Sequence, residues 1–178
     1  MLSVFFKKLL MAKHIKFMEG DITVFDIDYE MHPLLEHQHL YKALQTKYGE
    51  QGTQIIYETG KSVATEIAAT LHEKFKLKGL EHVNLWQNII ELNGMAKISS
   101  INPREKGEVT IKATSSKAKQ LNGNKGAAKP EKADPFLAGF LAGIFSHIYD
   151  RELDCRETEC MAQGAQTCVF EVRPKQKA

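Results

Sequence analysis

The sequence is poor in the features that usually announce a function. Its 24 Lys and Arg nearly cancel its 22 Asp and Glu, for a formal charge of +2. No basic run forms a stripe, which argues against a nucleic-acid partner. No stretch of about eighteen apolar residues occurs, so no membrane-spanning helix is expected. Tryptophan occurs once and cysteine three times, too few for a disulfide framework. The dinucleotide fingerprint, the phosphate-binding loop and the serine and cysteine nucleophile signatures are all missing. What remains is a chain of 178 residues, about the length of one domain and able to bury a core.

The scarce cysteines lie together. Cys155, Cys160 and Cys168 fall within Asp134–Phe170, beside Glu152, Asp154, Glu157 and Glu159. Thiolates and carboxylates crowded into so short a stretch suggest a metal site, and their clustering favours a reducing, cytoplasmic setting. A turn around Gly164 brings Cys160 and Cys168 side by side in a hairpin. Two buried thiols, or a disulfide under oxidising conditions, are the competing readings.

The rest of the chain reads as alternating hairpins and helices. Residues 1–13 open with MLSVFFKKLLM, an amphipathic segment too short to span a membrane and without a cleavage site. It suits packing on the body or on a dimer partner, or contact of residues 1–11 with a membrane surface or protein partner. Translation from Met11 would remove it. A hairpin, His14–Met18 with Ile22–Asp26, is expected around Gly20. A helix then runs from Pro33 to Tyr48, stopped by Gly49. His32, His37 and His39 crowd here, but helical spacing sets His37 and His39 about 200° apart, so they read as surface residues.

Gln51–Lys76 has the clearest helical period, with Ile56, Gly60, Val63, Ile67, Leu71 and Phe75 on one face. Gly60, Ala64 and Ala68 form a ridge of small residues suited to a close neighbour. Leu80–Leu92 is a further helix holding Trp86, either core or the wall of a pocket, and Asn93-Gly94 ends it. Met95–Ile101 and Glu108–Thr114 alternate as paired strands. Residues 117–132 are lysine-rich and read as a flexible surface loop. Asp134-Pro135 then opens a helix, Phe136–Tyr149, that is apolar almost all round and must be buried. Its Gly139 and Gly143 are expected to face Gly60.

Taken in order, these pieces resemble the 4-vinyl reductase-type small-molecule-binding domains. That superfamily includes aromatic-sensor domains, many stand-alone archaeal proteins and a protein linked to bacteriochlorophyll synthesis, and it is akin to TRAPP vesicle-tethering subunits. The resemblance rests on the first hairpin, Ile55-Ile56-Tyr57-Glu58-Thr59-Gly60-Lys61, Ser115-Ser116-Lys117-Ala118 and Gly139-Phe140-Leu141-Ala142-Gly143. Glu157-Thr158-Glu159-Cys160 and Cys168 complete it. It implies an α+β domain over residues 14–174, an antiparallel sheet with about four helices packed on one side, working as a homodimer.

The resemblance also implies a structural zinc held by Glu157, Cys160 and Cys168. The family's first cysteine falls at Asp134, which is able to serve as a carboxylate donor; Cys155 is the alternative fourth donor. A pocket for a small hydrophobic ligand is expected between the glycine helix, the long helix and the sheet, touching Trp86, Gly60, Phe140 and Gly143. Lys112 and Leu85 stand where the aromatic sensors carry cage residues, so no phenol specificity follows. The expected function is a non-enzymatic sensor. The alternatives are a TRAPP-like scaffold or membrane tether and, behind it, an enzyme acting on a tetrapyrrole.

Overall fold

The structure is a computed structural model that describes residues 12–76, 80–104, 107–123 and 134–175. It divides into two compact units, Met1–Leu40 and Tyr41–Ala178, taken here in turn. Residues 1–11, and with them most of the amphipathic segment, lie outside the described residues.

In the first unit β1 (Ile15–Met18) pairs antiparallel with β2 (Asp21–Val24) around Gly20, whose φ is +86°. The expected hairpin is there, and a third strand, β3 (Ile27–Tyr29), extends it. The β2–β3 turn consists of Phe25 and Asp26, both at positive φ. That geometry matches the right-handed twist of a two-residue hairpin, but Phe is a rare occupant of it. A three-stranded sheet results, separate from the main one.

Helix α1 (Leu34–Tyr48) begins near the end of this unit. Gly49, at φ +56°, breaks the chain before α2 (Glu50–Phe75). Gly52 brings the start of α2 against the Leu44 carbonyl, where a Cβ would collide with backbone. After α3 (Leu80–Leu92) come β4 (Ala96–Pro103) and β5 (Val109–Ser115), then α4 (Ser116–Gly123), α5 (Pro135–Tyr149), β6 (Leu153–Glu159), a 3-10 turn (Met161–Gln163) and β7 (Cys168–Pro174).

The four later strands form an antiparallel sheet in the order β4-β5-β7-β6. Alternate side chains of β5, Val109, Ile111 and Ala113, are buried, as are Phe170 and Val172 of β7. That period-two burial is what a strand with one covered face requires. Helix α5 touches α2 on one side and β6 and β7 on another, so it is buried nearly all round. The fold is α+β with antiparallel sheets, as expected, although the hairpins make two sheets and not one.

One expectation about local structure changes. The stretch read as a loop from residue 117 begins as helix α4, started by Ser115, whose Oγ accepts from the Ala118 N–H at 3.2 Å. Residues 124–133 lie outside the described residues. No described helix is long and apolar enough to cross a membrane.

Candidate metal centre and neighbouring cleft

The α2–α5 contact positions everything nearby. A Cβ at Gly139 would meet the Tyr57 carbonyl, one at Gly60 the Phe136 carbonyl, and one at Gly143 the Lys61 carbonyl. Glycine is therefore required for the backbones to approach so closely. The facing of Gly60 with the Gly139–Gly143 helix expected from the sequence is realised. Because Gly139 meets Tyr57 while Gly143 meets Lys61 and Ala64, the two helices run in the same direction.

Asp134 stands at the head of α5. Its Oδ1 accepts from the Leu137 N–H at 3.2 Å, and Pro135 follows at the first helical position, the residue types a helix start favours. Its Oδ2 accepts from the Ser115 hydroxyl at 2.6 Å, and its backbone N–H donates to Glu157 Oε2 at 3.3 Å. One buried residue thus joins the starts of α4 and α5 to β6. Burial pushes its carboxyl above the usual range, against the lowering effects of Lys117, Ser115 and the Leu137 N–H.

Glu157, Cys160 and Cys168 converge. One donor atom from each lies within 4.8 Å of the other two, the spread one tetrahedral ion can draw together through bonds of about 2.0–2.3 Å. A bulge places them. Glu157 pairs with Phe170 and Glu159 with Val169, so Thr158 is the extra residue and the strand bends where it leaves the ladder. The 3-10 turn and Gly164, at φ +103°, then return the chain to Cys168. The Cys168 thiol donates towards Cys160 sulfur, which lowers the Cys160 pKa and raises that of Cys168. The Met161 N–H reaches Cys168 Sγ at 3.5 Å. Two hydrogen-bonded thiols, with a carboxylate beside them, form a donor set suited to a zinc-like ion.

The two candidates for a fourth donor lie outside this group. Asp134 is adjacent, but both its oxygens are engaged as described. Cys155 is buried on β6 opposite Val172, and burial pushes its thiol well up. It belongs to the sheet packing.

Beside the metal group opens a cleft of about 640 Å³. Its walls are Thr53, Gln54, Tyr57 and Glu58 of α2, Asp134, Pro135 and Ala138 at the head of α5, Asp154–Thr158 of β6 and the end of β7. The Tyr57 hydroxyl accepts from the Cys155 N–H at 3.0 Å and donates to Asp154 Oδ1 at 3.4 Å. Burial raises its pKa. Lys61 is held by Glu152 and Asp154, each at 3.2 Å. Burial alone would lower its pKa, but these carboxylates outweigh burial and raise it.

The four residues expected to line a pocket do not border this cleft. Trp86 and Phe140 are buried edge to face, ring centres 5.8 Å apart, while Gly60 and Gly143 are filled by the helix contact. Lys112 is exposed on β5 and Leu85 is half-buried on α3. Sequence reasoning missed Tyr57 and Ser115 as site residues, although both stood inside the motifs that carried the resemblance.

Comparison with known proteins agrees with the motifs. Residues 129–174 match the V4R domain model. An uncharacterized protein of Methanocaldococcus jannaschii is 41% identical over 46 residues, 26% of this chain and 28% of that protein's length. The phenol-responsive sensory domain of the transcription activator PoxR, solved with phenol, superposes with a TM-score of 0.75 at 16% identity, over 97% of this chain and 92% of that one. A trafficking protein particle complex subunit 3 from Naegleria fowleri, covalently bound to palmitic acid, gives 0.53 at 14% identity, over 80% of this chain and 94% of that one. The resemblance read from the sequence is borne out, and at these identities the solved structures share the fold.

Proposed function

We propose, from the V4R match over residues 129–174, that this chain is a non-enzymatic sensor domain that binds a small molecule beside a zinc-clamped hairpin. One observation carries the reading: Asp134, Cys155 and Glu157 line the cleft, and Glu157 also belongs to the metal group. A molecule in the cleft therefore touches the element that the metal holds. Pro135 and Ala138 offer it an apolar floor, and Tyr57 and Arg156 offer polar anchors.

Glu157, Cys160 and Cys168 would hold the ion, which when bound supplies a cross-link between β6 and β7. A fourth position is left to water. The chain works as a homodimer on this reading, with its signal passed to a partner. The likeness to a sensory domain with its phenol supports a ligand-binding role but does not transfer phenol, because Lys112 and Leu85 replace the expected cage.

Native mass spectrometry of the chain as purified, with metal analysis, tests the proposal. At least one zinc per chain together with a small molecule released on denaturation is expected. A chain free of both would overturn it. A second reading, a scaffold resembling the trafficking subunit, draws on the exposed Met31, Leu34, Leu35 and Leu40. It predicts a partner protein and an empty cleft.

A further inference from the structure

Three histidines far apart in sequence meet at one place. His72 is in the last turn of α2, His147 in the last turn of α5, and His82 near the start of α3. Their ring centres lie 5.4 Å apart for His72–His82, 5.3 Å for His72–His147 and 6.1 Å for His82–His147. His72 Nδ1 is 3.5 Å from His82 Nε2.

These spacings are those of imidazoles around an ion. Metal–nitrogen bonds of about 2.0–2.1 Å in a tetrahedral site put neighbouring nitrogens about 3.4 Å apart and ring centres about 5 Å apart. As the side chains stand, the three rings do not all turn a nitrogen to one point; Glu157, Cys160 and Cys168 alone meet that condition among the described residues. Histidine's ring torsion is broad and two-fold, so a half-turn exchanges a carbon for a nitrogen without moving the ring centre.

A second feature favours a cation here. Helices α2 and α5 run in the same direction, so their C-termini emerge together with His72 and His147 on them. Each C-terminus carries a partial negative charge, and the two add at this point. His82 is buried, at 7% exposure, while His72 is exposed and His147 half-exposed, which gives a fixed inner ligand and an open way in.

We infer that His72, His82 and His147 form a second metal site, specific for a late first-row divalent ion such as zinc, nickel or copper, that ties the ends of α2, α3 and α5 together. Three neutral imidazoles with no thiolate among them suit that class of ion, and leave a fourth position open. The site is about the far ends of α2 and α5 from the cleft, whose walls use their heads, and it does not depend on the sensor reading.

The test is a zinc titration of the whole chain followed by long-range ¹H–¹⁵N NMR of the imidazoles, with zinc uptake measured by equilibrium dialysis. Addition of zinc should move the ring nitrogens of His72, His82 and His147 together and leave His37 and His39 unmoved. Cys160→Ser with Cys168→Ser should lose one equivalent and keep those shifts. His72→Gln with His147→Gln should lose the other equivalent, its affinity falling at least about tenfold, the loss that removing even an outer partner of a ligand brings. Ring nitrogens of the parent chain that stay still at saturating zinc would overturn the inference. So would undiminished uptake by the folded His72→Gln, His147→Gln chain.

Discussion

Asp134, buried, and Lys117, half-buried, lie within electrostatic reach of one another, and each has a consequence that a single substitution reads. Asp134 caps α5 and accepts from Ser115. Asp134→Ala should therefore cost about 1–2 kcal/mol in urea unfolding, the worth of a lost N-cap. Metal analysis of the same variant should find zinc content unchanged, because Asp134 lies outside the converging donors; a proportional loss of zinc would make it the fourth ligand. Lys117 holds its ammonium 3.7 Å over the Tyr41 ring. Burial lowers its pKa to about 8, against the opposing charges of Asp134 and Glu157. The unfolded chain keeps this proton up to its ordinary value of about 10.5. Below pH 8 both states carry the charge and the folded one bears the cost of burying it; between about 8 and 10.5 the unfolded state binds more protons, so stability from this group rises with pH. Relative to Lys117→Met, the parent should gain stability from pH 8 to 10.5, measured by denaturant unfolding across that range. A constant difference would contradict the burial.

Among the elements, the α2–α5 pair is the most exacting. Gly139→Ala drives a methyl into the Tyr57 carbonyl, a collision with backbone that no side-chain rotation relieves. Its cost should be about 3 kcal/mol, the upper end for overpacking. Ser62→Ala, on the exposed face of α2, should stay within about 0.5 kcal/mol. Equal effects of the two in thermal or urea unfolding would mean that the close crossing is not maintained in solution. This pairing was legible in the sequence, because Gly60, Gly139 and Gly143 interrupt otherwise strong helical periods and only close approach explains them. The hairpin of Cys160 and Cys168 was legible for a similar reason, a turn residue set between two ligands. Three features were not. The Phe25-Asp26 turn uses a residue with no turn signature, so β3 went unread. Helix α4 opens a lysine-rich stretch whose composition resembles a loop, and it forms because Ser115 caps it and Ala118 is buried. The bulge at Thr158 leaves no mark on composition, yet it aims Glu157 at the cysteines.

At the scale of the molecule, what escapes the sequence is which residues distant along the chain come together. His72, His82 and His147 were invisible as a group, while His32, His37 and His39, close in sequence, drew attention and lie on the surface, where His32 hydrogen-bonds Glu30 and Glu36. The residues expected to line a pocket likewise stand away from the cleft. Trp86 and Phe140 had the right chemistry for a ligand wall, but they pack on one another, and the open space falls beside β6 at the heads of α2 and α5. The coupling of that cleft to a metal-held hairpin, proposed above, belongs to this scale. Hydrogen exchange on the whole chain, compared before and after zinc removal by a chelator, tests it most directly. Amides of β6 and β7, Leu153–Pro174, should lose protection while those of α1 keep it, as the proposed cross-link between those two strands requires. Unchanged protection of Leu153–Pro174 in a chain shown to have held zinc and lost it would rule out the metal as the clamp of this hairpin.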